Sequence, residues 1–344
     1  MAHNELPIPS HFNPVTVGEV WKVDYQTRAT EAAAWAKSQA ISPAGQDDYR
    51  VCLMPVDVQN TFCIPDFELY VGGRSGTGAI DDNRRLCQFI YRNLGTISEI
   101  CPTLDTHGAM QIFHSVFLIN DQGEHPPAYS LVSLADIEQG VWKFNPALSR
   151  HLGVSAAEGQ AYLEHYARQV SGSSKYDLTV WPYHAMLGGI GHALVSALEE
   201  AIFFHSIARY SQPDMQIKGH NPFTENYSVL SPEVMTNPAG ETIAAKNTAF
   251  TQKLMAFDAI IIGGQAKSHC VAWSIEDLLT EMLAVDESLV QKVYLLDDCS
   301  SPVVIPEVID YTDDAEAAYA RFAEAGMHVV RSTEPVMEWP GFGG

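Results

Sequence analysis

Apolar positions along this chain follow two alternating patterns. Val51–Val58 (VCLMPVDV) is a short apolar run closed by an acid, the mark of a strand buried on both faces. Similar runs predict strands at Ile97–Leu104, Gln111–Asn120, Asp177–Trp181, Met215–Lys218, Asp258–Gly263, Val293–Leu296 and His328–Val330. Between them, Ile80, Leu86, Phe89 and Ile90 lie at helical spacing, and so do Val271, Ile275, Leu278, Leu279, Met282 and Leu283. Further helices are predicted from Gly191 to about Ala208, over Ala245–Phe257 and over Ala315–Ala325. Strands alternating with helices imply an α/β fold, a three-layer α/β/α sandwich around a mostly parallel, Rossmann-like sheet.

Residues 1–50 read as an N-terminal extension with one short helix at Thr30–Ala40. Residues 51–310 read as the main domain, and 311–344 as a helix, strand and tail that complete it. The stretch at about 121–176 is polar and dotted with Pro and Gly, with a helix at Ala156–Gln169, and reads as an insertion or lid.

Composition narrows the partners. Of 344 residues 46% are hydrophobic, which is enough for a sizeable core, while 42 acidic against 20 basic residues give a charge of −22. Such a field repels nucleic acid and anionic membranes, so neither is expected as a partner. The longest apolar run, Ala256–Gly264, is interrupted by Asp258 and is too short to span a bilayer. The N-terminus shows no cationic stretch followed by an apolar one. Six cysteines without a CxxC pair suit a reduced, cytoplasmic protein.

Ligands in open parallel sheets collect beyond the carboxyl ends of the strands, which selects Asp57, Asp105, His107, Lys218 and Cys270. Cys270 follows a buried strand and opens a helix, where the positive helix end is expected to favour its thiolate. Asp57 and Lys218 gain meaning only beside a thiol, as a proton acceptor and as an ammonium that holds the charges in place. Asp105-Thr106-His107 leaves a strand end with two donors suited to a divalent metal, with His114 and His184 as possible further ligands. Cys52, Cys87 and Cys101 fit core packing. His192 and His205 read as ordinary surface or core histidines, and nothing requires His269. The glycines at 72–78 lack a GKS or GKT ending and read as a flexible loop.

Six segments in order resemble the isochorismatase-like cysteine hydrolases, and among them the nicotinamidases. They are Asp57-Val58-Gln59-Asn60-Thr61-Phe62, Gly72-Gly73 with Ile80 and Asn83, Asp105-Thr106-His107, Trp181-Pro182-x-His184, Lys218-Gly219 with Tyr227-Ser228, and Gly264-x-Ala266-x-x-x-Cys270-Val271. The resemblance implies a catalytic triad of Asp57, Lys218 and Cys270, and a cis peptide before Ala266 that turns the N–H groups of Ala266 and Cys270 into an oxyanion hole. It also implies Phe62 and Trp181 around the substrate ring, and a divalent metal (Zn, Fe or Mn) on Asp105, His107 and His184. The activity implied is cleavage of nicotinamide, or a similar small carboxamide, to the acid and ammonia through a thioester. Relatives that self-associate make a homo-oligomer a further expectation. Three alternatives stay open: a metal-free relative acting on a carbamoyl, ureido or isochorismate-type substrate, a non-catalytic binding protein on this fold, and a zinc hydrolase in which Cys270 is incidental.

Overall fold

Six consecutive buried residues, Val51–Val56, form strand β1 at the heart of the sheet. A computed structural model describes residues 5–172 and 176–343 of the chain. The further strands that matter for the site are β2 (Glu99–Ile100), β3 (Thr103–Asp105), β4 (Gln216–Lys218), β5 (Ala259–Gly264), β6 (Val293–Leu296) and β7 (His328–Val330). Five of them pair in parallel in the order β7-β6-β5-β1-β2, while β3 and β4 form a separate parallel pair.

Alternation along β1 and β5 splits the core into two layers. Cys52, Met54 and Val56 join Ile260 and Ile262 on one face; Val51 and Leu53 join Ala259 and Ile261 on the other. Helices α1 (Tyr25–Ser38), α2 (Gly78–Arg92) and α4 (Ser196–Arg209) contribute to the second layer, with α1 held on α4 by ring contacts Tyr25–Phe203 and Trp35–Phe204. Helices α3 (Ala156–Ser171), α5 (Thr248–Met255), α6 (Ala272–Val285) and α7 (Thr312–Glu324) contribute to the first. Each fully buried aliphatic side chain in these layers contributes about 1.5–3 kcal/mol. This is the three-layer α/β/α architecture expected from the sequence. No described helix is long and apolar enough to cross a membrane, and all six cysteines are buried and free of disulfides.

Several expected boundaries move. The strand expected over Ile97–Leu104 is two strands, because the chain leaves β1 after Leu53↔Ile100 and turns at Cys101-Pro102. That turn also explains how a central strand tolerates Pro55. Leu53 O faces β2 and accepts Cys101 N–H, so two residues on Pro55 faces a side where pairing has ended. Gln111–Asn120 is not a sheet strand; it holds a 3₁₀ turn and the two-residue strand Leu118–Ile119, paired antiparallel with Lys143–Phe144. Of Asp177–Trp181 only Leu178–Thr179 is strand, antiparallel to Leu131–Val132. The helix expected from Gly191 begins at Ser196, because Ala193–Val195 bonds to the loop after β1 through Asn60 N–H and Val58 O.

The described part of residues 121–176 is packed: Val132, Ile137, Phe144, Leu163 and Tyr166 share the buried layer of Met54 and Ile262. Residues 173–175, within the expected insertion, lie outside the described residues, as do residues 1–4 of the N-terminal extension and residue 344.

At the end of β5, Gly264 has φ +123°, and a Cβ there would sit 2.2 Å from the Val56 carbonyl oxygen. Gly264→Ala is therefore expected to destabilise the fold by about 3 kcal/mol or more, through strain plus overpacking, as read by denaturant unfolding.

Candidate active site

Asp57, Asp105, Lys218 and Cys270 all stand at or just beyond carboxyl ends of strands. Asp57 follows β1 with a left-handed backbone (φ +46°), an unfavourable state for a non-glycine residue. The strained turn is held from β3: Thr103 Oγ1 accepts the Asp57 N–H at 3.0 Å and donates to Asp57 Oδ1. The β3–β4 register places Asp105 directly opposite Lys218. Cys270 lies in a π-helical turn, Lys267–Val271, that joins β5 to α6, the kind of one-turn irregularity that recurs at functional sites.

Lys218 ties these elements together. Its Nζ lies 3.0 Å from Asp57 Oδ2, 2.9 Å from Asp105 Oδ1, 2.9 Å from the Asn226 carbonyl and 3.5 Å from Cys270 Sγ. All three side chains around it are buried. Burial alone would lower the Lys218 pKa, but Asp105 and Asp57 outweigh it and hold the ammonium charged well above its ordinary range. Burial raises the Asp57 carboxyl, opposed by Lys218 and assisted by the nearby Asp105 charge. Asp105 is the reverse: burial pushes it up, but His107 and Lys218 hold it well below the usual carboxylate range.

Cys270 departs from the sequence expectation. Burial, with Asp57 and Asp105 adding to it, pushes the thiol well above its ordinary value, and only Lys218 opposes them. The helix end does not produce a resting thiolate. The sulfur is a neutral thiol beside a carboxylate.

Asp105, His107 and His184 bring one ligand atom each to within 4.8 Å of one another. His107 Nε2 is 2.7 Å from Asp105 Oδ2 and His184 Nε2 is 3.5 Å from the same oxygen. Each ring is set by its other nitrogen: His107 Nδ1 on the Gly219 carbonyl at 3.1 Å, His184 Nδ1 on the Pro182 carbonyl at 2.7 Å. That arrangement leaves each Nε2 facing the cluster, as metal-binding imidazoles require. His114 repeats it, with Nδ1 3.2 Å from the Ala109 carbonyl and a buried Nε2 that has no partner among the described residues. Burial, then the neighbouring His184 and His107, push its pKa down to about 3. Its ring centroid is 6.1 Å from that of His184 and 6.0 Å from that of His107. A buried imidazole nitrogen without a partner, next to two of the residues of the Asp105, His107 and His184 group, fits a divalent metal at that group.

A cavity opens over the sulfur. Phe62, Trp181, Tyr227 and Val303 give it apolar walls, and Asp105, His184, Ala266 and Cys270 also line it. Asp57 and Lys218 are buried and are not among the residues that line it. Trp181 is fixed by its Nε1–H on Tyr227 Oη at 3.2 Å, and the Phe62 ring meets His184 edge-on. The Gln265–Ala266 peptide is cis, and Ala266 N–H has no acceptor among the described residues.

Sequence reasoning missed Thr103 and Glu225 and gave Gln59 no role. Thr103 was within reach, since strand alternation puts it on the face of Asp105, two residues on. Gln59 joins three segments: its side chain bonds the Asp105 N–H, the Asp105 carbonyl and the His192 carbonyl. Glu225 lines the cavity with its carboxyl raised by burial to about 7, and His107 acts against that rise. No pattern at Thr224–Tyr227 announced it. His205 is a core histidine, bonded to the Ile97 carbonyl, and His192 meets Thr106 Oγ1.

No protein-family model matches the chain, and no curated protein matches it. Solved structures do. The chain is similar to the yeast nicotinamidase (TM-score 0.50, 15% identity, covering 81% of this chain and 99% of that one). The same yeast enzyme bound to the inhibitor nicotinaldehyde aligns with TM-score 0.50 and 14% identity, over 82% and 99% of the two chains. A nicotinamidase from Acinetobacter baumanii matches at TM-score 0.49 and 16% identity, over 84% and 99%. The yeast comparisons establish a shared fold, the one expected from the sequence motifs.

Proposed function

We propose that this chain is an isochorismatase-like amidohydrolase that cleaves nicotinamide, or a similarly small aromatic carboxamide, to the acid and ammonia. The observation that carries the reading is one ammonium, Lys218, within reach of two carboxylates and of Cys270, the one sulfur among the described residues that line the cavity. The shared fold with the yeast nicotinamidase agrees with it. In this reading residues 51–310 form the hydrolase unit, and Tyr176 from the 121–176 stretch backs the cavity wall against His269.

A carboxamide between Phe62 and Trp181 presents its carbonyl carbon to Cys270. Asp57 takes the Sγ proton as the S–C bond forms, so the nucleophile becomes a thiolate only during attack. The carbonyl electron pair moves to oxygen, where the N–H groups of Ala266 and Cys270 receive it. The C–N bond then breaks and ammonia leaves with the proton Asp57 had taken. Water attacks the thioester, Asp57 takes its proton, and the returning proton frees the thiol as the acid departs. Lys218 keeps Asp57 ionised and steadies the thiolate as it forms.

Asp105, His107 and His184 would hold a divalent metal (Zn, Fe or Mn), and the His114 ring lies next to those of His107 and His184. When bound, that ion supplies a Lewis-acid site for a ring nitrogen. Chelator treatment that removes metal is expected to cut kcat/KM for nicotinamide about tenfold or more, mainly through KM, with a smaller loss for benzamide, which has no ring nitrogen. Metal analysis and ammonia release, measured before and after Zn, Mn or Fe is restored, check this. Equal losses for both amides would contradict the ring-nitrogen role. The overall reading is tested by ammonia release over a panel of small carboxamides and ureides, and it fails if no carboxamide is turned over.

A further inference from the structure

His269 stands one residue before the nucleophile and lines the cavity, but the thioester chemistry gives it no task. Its buried ring stacks on Tyr176 (centroids 4.6 Å apart, planes 25° apart) and meets Trp181 and Tyr227 edge-on. Nδ1 lies 2.8 Å from Ser268 Oγ, while Nε2 has no partner among the described residues. Tyr176 Oη donates to the Ser268 carbonyl at 2.9 Å, which holds the 268–269 pair against the cavity wall.

Counting protons decides which ring nitrogen carries hydrogen. Burial pushes the imidazole pKa down to about 3, so the ring is neutral and has one N–H. Ser268 Oγ already accepts the Val303 N–H at 3.1 Å. For the hydroxyl proton of this buried serine, His269 Nδ1 is the one acceptor among the described residues. A proton on Nδ1 would therefore strand two groups, the Ser268 hydroxyl hydrogen and the Nε2 lone pair. With Ser268 donating to Nδ1, only Nε2–H is open, and each stranded buried group costs about 1–3 kcal/mol. The tautomer with hydrogen on Nε2 follows.

We propose that His269 Nε2–H is a specificity donor that binds a second hydrogen-bond acceptor on the substrate ring, away from the carboxamide. The preferred substrates are then aromatic carboxamides that carry a further ring nitrogen or carbonyl on the edge facing His269. This rests on the amidohydrolase reading for the word substrate, but the recognition can be measured without turnover.

The test uses the C270A protein and calorimetric Kd values for nicotinamide and for aza- and oxo-substituted nicotinamides with one extra acceptor at each free ring position. At least one isomer is expected to bind about tenfold more tightly than nicotinamide, the worth of one well-placed hydrogen bond. C270A/H269F, which keeps an aromatic ring against Tyr176, is expected to lose that preference, and C270A/H269Q, which keeps a donor, to retain part of it. A preference unchanged in H269F, or no preference at any position, overturns the proposal. ¹⁵N NMR of wild-type histidine side chains supplies a readout that does not depend on variant folding: a protonated Nε2 at His269 supports it, and a protonated Nδ1 overturns it. Absence of ammonia release by the wild type would defeat the amidohydrolase reading alone, because the binding comparison still decides the role of His269.

Discussion

Cys270→Ala is expected to lower kcat for ammonia release from nicotinamide by about 10⁴-fold or more, with the fold intact. The size follows from the role: a covalent nucleophile has no substitute once the sulfur is gone, and what remains is binding and oxyanion stabilisation. Cys270 is buried at the cavity wall, and an alanine in its place leaves the β5-to-α6 turn without backbone strain, so circular dichroism and thermal unfolding should change little. Turnover assays on both proteins check the claim. A variant with activity within tenfold of the wild type would mean that some other group attacks the amide.

Lys218→Met should be costly twice over. The ammonium answers two buried carboxylates, Asp57 at 3.0 Å and Asp105 at 2.9 Å. Removing one partner of a buried ionic network typically costs about 3–5 kcal/mol, because the remaining charges stay desolvated and unpaired. Activity should fall by a further large factor, since Asp57 would then be protonated in its resting state and could not take the thiol proton. The pH dependence has a definite sign. In the variant, burial and the Asp105 charge raise the Asp57 carboxyl with Lys218 no longer opposing them, so at this group the folded state binds more protons than the unfolded state. The stability deficit should therefore be largest at high pH and shrink as the pH falls through the raised Asp57 value. Chemical denaturation at several pH values checks this, and a deficit that grew on acidification would contradict the pairing.

Much of this site was legible because β/α alternation with acids, a lysine and a cysteine at strand ends obeys a simple placement rule. Asp57, Asp105, Lys218 and Cys270 were all singled out in that way, and the structure brings them around one ammonium. What was not legible depends on packing across the chain. The split of Ile97–Leu104 at Pro102 decides that β3 pairs with β4, and only that pairing sets Asp105 opposite Lys218. The state of the Cys270 thiol was read from its nearest helix, yet it is governed by desolvation and two carboxylates from distant segments. The extended run at Gln111–Asn120 looked like a strand, but its histidine matters more than its backbone: His114 keeps a buried nitrogen without a partner among the described residues, its ring about 6 Å from those of His107 and His184. The proton assignment at His269 is further out of reach of sequence, since it depends on Val303 closing over Ser268 from 35 residues away.

The claim at the centre of this account is that the Cys270 sulfur forms a bond to the carbonyl carbon of a ring-bound substrate. Nicotinaldehyde labelled with ¹³C at its carbonyl tests this directly: addition of S–H across C=O converts the labelled carbon from trigonal to tetrahedral. With protein in excess, the account predicts a tetrahedral thiohemiacetal resonance in the wild type that is absent from Cys270→Ala. A labelled carbon that stays trigonal in the bound wild-type complex, or becomes tetrahedral in the alanine variant as well, would contradict it.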